Sequence, residues 1–128
     1  MNAVSARTTV LVVDDSELVC ESVKLVLGRA GLAVVALTSP FGFIKAIREH
    51  TPALILVDVG LGILNGAKLV QLGRRNAAPS CSIVLYSSRD PSQLQQDVAS
   101  SGADGFIAKS TTGGDFVAAV SRWLGGAH

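Results

Sequence analysis

Val10-Leu11-Val12-Val13-Asp14-Asp15 and Leu54-Ile55-Leu56-Val57-Asp58 are the stretches on which the fold turns. Each is an uninterrupted apolar run closed by carboxylates. A run without alternation suits a strand covered on both faces, as in a parallel sheet flanked by helices. If the two runs are neighbours in one sheet, their carboxyl ends lie side by side. Asp14, Asp15 and Asp58 then meet in the crevice where open α/β sheets bind ligands. Three acids in one crevice call for a cation.

Further short apolar runs occur at Leu32 to Leu37, Ile83 to Tyr86 and, more weakly, Gly105 to Ala108. Helical spacing separates them. Val19, Val23, Val26, Leu27 and Ala30 share one face of a first helix that ends at Gly31, while Glu21, Lys24 and Arg29 point elsewhere. Ser39-Pro40 is read as the cap and first turn of a second helix, which carries Phe43, Ile44 and Ile47 and stops at Thr51-Pro52. A third follows Asn65-Gly66 and runs to Arg74-Arg75. The fourth, from Asp90-Pro91, has only Leu94 and Val98 on its apolar face and is expected to be lightly anchored. The fifth, from about Gly114, sets Phe116, Val120 and Trp123 at helical spacing. Strands alternating with helices in this way predict an α/β fold, a (βα)5 doubly wound parallel sheet of five strands.

The totals bound the function. A chain of 128 residues is expected to be one domain, 1–128 with its core at about 8–125, without an output domain. Eleven basic residues against ten acids leave a net charge of +1, too little to draw nucleic acid by charge alone. No stretch has the length of a membrane span, so no membrane insertion is expected. The N-terminal residues lack the apolar core of a signal peptide, which makes a cytoplasmic setting the expectation. Cys20 and Cys81 lack ligand spacing and read as buried thiols, His50 and His128 as solvated side chains, and Trp123 as core packing.

In a parallel sheet the residues just past each strand carry the chemistry, and here they are Asp14, Asp15, Asp58, Ser87, Ser88 and Lys109. Taken singly, the acid pair would cap a helix, the serines would make a turn and the lysine would face water. Together they match the needs of a phosphoryl group: carboxylates for a hard cation such as Mg²⁺, lysine and hydroxyl for phosphate oxygens.

In this order, with Gly102-Ala103-Asp104-Gly105-Phe106-Ile107-Ala108-Lys109 leading through the last strand, the chain resembles the receiver domain of bacterial two-component response regulators, over nearly its whole length. The resemblance implies a flavodoxin-like fold and a stand-alone domain of the chemotaxis-regulator kind. It implies that Asp58 accepts a phosphoryl group from a histidine kinase or a histidine phosphotransfer protein. Asp14, Asp15, Asp58 and the Gly60 carbonyl would hold Mg²⁺, and Lys109 and Ser87 would bind phosphoryl oxygens. Ser87 and Phe106 would act as a switch that reshapes the surface of the fourth helix, fifth strand and fifth helix for a downstream protein target that the sequence does not name. Such a domain is not an enzyme beyond its own phosphorylation and dephosphorylation, and is expected as a monomer or weak homodimer.

The chain departs from the family pattern around the acids. Gly62 stands where proline is usual, which loosens the loop, and Gly60 has no side chain to steer water. Arg89, two residues past Ser87, would either shield the phosphate or face solvent. Ser110 replaces the proline that usually follows the lysine through a cis bond, so a trans Lys109–Ser110 bond, a rearranged loop and a less firmly held lysine are expected. Phe106, in place of tyrosine, has no hydroxyl and favours the inward setting. Two other readings stay open. One is a receiver-like scaffold that binds its partner regardless of phosphate. The other is a phosphatase of the haloacid dehalogenase type, although that class wants Asp-x-Asp at the first strand.

Overall fold

The computed structural model describes residues 7–60 and 66–125. Gly62, Asn65 and His128 lie outside them. Five strands, β1 (Thr9–Val13), β2 (Ala33–Leu37), β3 (Leu54–Val57), β4 (Ser82–Ser87) and β5 (Gly105–Ala108), alternate with α1 (Glu17–Arg29), α2 (Phe43–His50), α3 (Gly66–Asn76), α4 (Pro91–Ser101) and α5 (Gly113–Leu124). All pairings are parallel, in the order β2-β1-β3-β4-β5. The predicted (βα)5 sheet is therefore the observed one.

Strand periodicity divides the core into two layers. Leu11, Val13, Ile55, Val57, Ile83 and Leu85 face Phe43, Ile47, Leu69 and Val70, which come from α2 and α3. Val10, Val12, Leu54, Leu56, Val84 and Tyr86 face Val23 and Leu27 of α1 and Phe116, Ala119 and Val120 of α5. Every residue of β3 is buried, as its unbroken apolar run required. At about 1.5–3 kcal/mol for each large aliphatic side chain removed from water, these layers dominate the stability of the sheet.

Register then places the site. Val13 pairs with both Leu37 and Val57, and Val57 pairs with Leu85. Asp14 and Asp58 thus leave the sheet at the same level, next to each other. Ser87 pairs with Ala108, so Lys109 leaves the sheet one step beyond the serine.

Three local expectations are adjusted. The second helix does not begin at Ser39-Pro40: Ser39 Oγ accepts the Phe41 N–H at 3.3 Å, and the Pro40 carbonyl accepts that of Phe43 at 3.1 Å. These bonds close a turn, and Gly42, at φ +82, reverses the chain so that the helix starts at Phe43. On α1, Ala30 is exposed at the C-cap, and Cys20 joins Val23 and Leu27 on the buried face. On α5, Trp123 is only partly buried, but its ring lies over Gly105, where a Cβ would overlap it. The sparse anchoring of α4 is as read: Leu94 is fully buried and Val98 partly so.

Candidate functional site

The two acids that end β1 and β3 are fixed by backbone bonds. The Asp14 N–H donates to the Leu37 carbonyl and that of Asp58 to the Val13 carbonyl, each at 3.0 Å, which extends the ladder one residue past the strands. Asp14 is fully buried. Its Oδ1 accepts the Ser16 N–H at 2.9 Å, and Ser16 Oγ in turn accepts the Val19 N–H at 3.2 Å as the N-cap of α1. A buried carboxylate needs charge compensation as well as hydrogen bonds, and Lys109 Nζ supplies it at 2.5 Å from Oδ2. The same ammonium lies 3.8 Å from Asp58 Oδ1.

Asp58 is the less settled acid. Among the described residues its Oδ1 accepts a long bond, 3.4 Å, from the Gly60 N–H. Burial pushes its carboxyl above the ordinary aspartate range; Lys109 pulls it back, Asp14 adds to the rise, the Gly60 N–H opposes it and Asp15 adds further. Asp15 itself is exposed. Oxygens of Asp14, Asp15 and Asp58 lie within 4.8 Å of one another, a cluster of hard donors suited to a divalent cation. A cation there would offset the repulsion that raises Asp58. The residues therefore fit Mg²⁺, with Asp15 and Asp58 as the acids left open by the Lys109–Asp14 pair.

Ser87, buried at the end of β4, accepts the Arg89 N–H on its Oγ at 3.1 Å. Its carbonyl accepts the Lys109 N–H at 2.8 Å, which seats the lysine against β4. The Lys109–Ser110 bond is trans, as expected from the missing proline, and the Thr111 N–H closes a turn onto the Ala108 carbonyl at 2.9 Å. The Lys109 ammonium is placed by charge rather than by loop stiffness, 2.5 Å from the fully buried Asp14 Oδ2. Of the two settings anticipated for Arg89 it takes the solvent-facing one, being exposed, and its Nε also pairs with Asp97 Oδ2 of α4 at 3.0 Å. Phe106 is half-buried against the α2–α3 layer.

Asp14, Asp15, Asp58 and Lys109 are thus brought into one cluster, with Ser87 beside the lysine and Gly60 on Asp58. Two participants escape a sequence reading. Tyr86 lies with its ring 5.6 Å below Lys109 Nζ, and Asp97 holds Arg89. The first could have been suspected from position, since it immediately precedes Ser87; the second has no local signature. The cysteines are buried, with Cys81 pushed up to about 11 by desolvation, and His50 is exposed. Among the described residues no helix is long and apolar enough to cross a membrane.

The sequence profile of the response regulator receiver domain matches residues 10–121. The chain belongs to that family. As a receiver domain it is a signalling module rather than a conventional enzyme. It is 26% identical over 111 residues to the transcriptional regulatory protein KdpE of Mycobacterium tuberculosis, which covers 87% of this chain and 48% of the relative. It is 29% identical over 129 residues to the transcriptional regulatory protein MctR of Rhizobium johnstonii, covering 94% and 56%. The chain spans about half the length of these curated relatives. Among solved structures, the receiver domain protein of Methanospirillum hungatei superposes with a TM-score of 0.82 at 20% identity, covering 95% of this chain and 97% of that one. The chemotaxis protein CheY4 of Vibrio cholerae gives 0.81 at 20% identity, covering 91% and 98%. At that identity the two structures bear on the receiver fold alone.

Proposed function

We propose that this receiver domain is a phosphoacceptor in which Asp58 takes a phosphoryl group from a phosphohistidine on a partner kinase or phosphotransfer protein. The observation that carries the reading is the placement of Asp58 beside two further acids and 3.8 Å from the Lys109 ammonium. An Asp58 carboxylate oxygen attacks the phosphorus and the P–N bond breaks, with its electron pair going to the imidazole nitrogen. The product is an acyl phosphate. Water later attacks the phosphorus, the bond to the Asp58 oxygen breaks, and inorganic phosphate leaves with the carboxylate restored.

This chain's residues do three things in that exchange. Lys109 is within a short movement of the Asp58 oxygen and would neutralise phosphoryl charge. Ser87 would exchange its acceptor contact with the Arg89 amide for donation to a phosphoryl oxygen. Asp15 and Asp58, with Asp14 and the Gly60 carbonyl nearby, would hold Mg²⁺. When bound, the ion supplies charge neutralisation between the anionic nucleophile and the anionic donor. Movement of Ser87 would be passed to Phe106 and α4, changing the α4–β5–α5 surface offered to a target protein.

Incubation with Mg²⁺ and acetyl phosphate or beryllofluoride, followed by intact mass or NMR, tests the reading, with Asp58→Asn as control. An adduct that requires Asp58 is expected. Its absence under both conditions would favour a scaffold that binds regardless of phosphate, and repeated turnover of simple phosphate esters would favour a phosphatase.

A further inference from the structure

We propose that Tyr86 is a positioning residue for Lys109, its ring fixing where the ammonium sits between Asp14 and the phosphoryl group. The proposal rests on the phosphoacceptor reading of Asp58. Tyr86 pairs with Ile107 in the β4–β5 ladder, one step before the Ser87–Ala108 pair, so its side chain stands directly beneath the exit of Lys109. The ammonium lies 5.6 Å from the ring centroid, within the range at which a cation is attracted to an aromatic face. The ring cannot easily drift. It is 7% exposed and packs at 5.4 Å and 32° against Phe116 of α5.

Lysine needs such a partner here. Its flexible four-carbon stem has no preferred geometry of its own, and Ser110 lacks the ring constraint of proline. On the α1/α5 side, a cavity of about 270 Å³ opens beside Lys109, lined among others by Val19, Val23, Tyr86, Thr112 and Phe116. Close-packed side chains therefore do not enclose the stem on that side. What defines the ammonium position is the Asp14 carboxylate at 2.5 Å on one hand and the aromatic face on the other. When a phosphoryl group arrives on Asp58, the Asp14 contact can be exchanged for phosphoryl oxygens while the ring contact persists. Tyr86 then acts as a pivot that keeps the lysine in reach of both partners, and the phenyl ring alone suffices for the role.

The test is a calorimetric titration of the full chain with beryllofluoride at saturating Mg²⁺, for the wild type, Tyr86→Leu, Tyr86→Phe, Lys109→Ala and the Tyr86→Leu/Lys109→Ala double variant. Mg²⁺ affinity is measured separately. Tyr86→Leu is expected to weaken beryllofluoride by about three- to tenfold, the scale of one partly desolvated cation–ring contact. Tyr86→Phe should restore the wild-type affinity, Mg²⁺ affinity should be unmoved by Tyr86→Leu, and the leucine should cost nothing further once Lys109 is gone. Unchanged beryllofluoride affinity in Tyr86→Leu, or an equal loss in the Lys109→Ala background, would overturn the proposal while leaving the phosphoacceptor reading intact. Refusal of both beryllofluoride and acetyl phosphate by the wild type would overturn the phosphoacceptor reading and the proposal together, and refusal of beryllofluoride alone would overturn the proposal. Should Tyr86→Leu not fold, the Lys109 ε-methylene shift in the wild type decides: an upfield ring-current displacement supports the contact, and a random-coil value overturns it.

Discussion

Arg89 reaches from the turn after β4 to α4, where its Nε lies 3.0 Å from Asp97 Oδ2, while its backbone N–H donates to Ser87 Oγ at 3.1 Å. One residue thereby links the buried hydroxyl at the end of β4 to the least anchored helix of the fold. Because the Arg89 side chain is 47% exposed and that of Asp97 23%, the pair is screened and contributes about 0.5 kcal/mol. Asp97→Asn should leave global stability nearly unchanged but speed amide hydrogen exchange selectively in α4. Uniform exchange rates across the sheet and helices of variant and wild type would remove the link.

Asp58 should be costly to the fold at neutral pH. Its carboxyl is raised, chiefly by burial, so the native state holds a proton over a range where the unfolded chain has released it. Stability is then fullest below the ordinary aspartate range and declines as pH rises through the raised value. Asp58→Asn, in the absence of Mg²⁺, is expected to melt higher than wild type at pH 7, with the difference shrinking toward pH 3. Thermal melts at both pH values check it, and a variant that melts lower at neutral pH would contradict the sign.

Lys109 compensates an acid that has no access to water. Lys109→Met would strand Asp14 beside Asp15 and Asp58, and the loss is put at about 3 kcal/mol, the low end for a broken buried pair because the lysine side chain is 20% exposed. Mg²⁺ should recover more stability in this variant than in the wild type, since it then replaces the missing cation as well as binding the open acids. Urea unfolding with and without Mg²⁺ measures both effects.

Gly105 and Trp123 test a contact unrelated to phosphate. A Cβ at residue 105 would overlap the six-membered ring of the partly buried indole, which would have to shift to admit it. Gly105→Ala should cost about 1–3 kcal/mol, the usual range for overpacking, and shift the emission of the single tryptophan. An unshifted spectrum with unchanged stability would mean that the ring moves freely.

Much of the architecture is legible in the residues themselves, for reasons of short range. Unbroken apolar runs at 10–13 and 54–57 announce doubly covered strands, and the spacing of Val19, Val23 and Leu27 announces a helix packed against them. Carboxylates immediately past two such strands could only be functional or capped, and the parallel topology put them side by side. The start of α2 departs from the Ser39-Pro40 expectation because Ser39 Oγ finds a donor two residues on, at Phe41, in a turn after which the helix begins at Phe43. Local competition of that kind is decided by small energy differences among neighbouring bonds.

Strands, helices and the row of acids, hydroxyl and lysine at one sheet edge can be read from the residues alone, because periodicity and turn chemistry act among near neighbours. That Lys109 rests on Asp14 and faces Tyr86, that Arg89 turns to Asp97, and that Trp123 covers Gly105 emerges in the folded chain. Those pairings depend on strand order, ladder register and the angle at which each helix returns to the sheet. They join side chains whose proximity is set by the packing of the whole core.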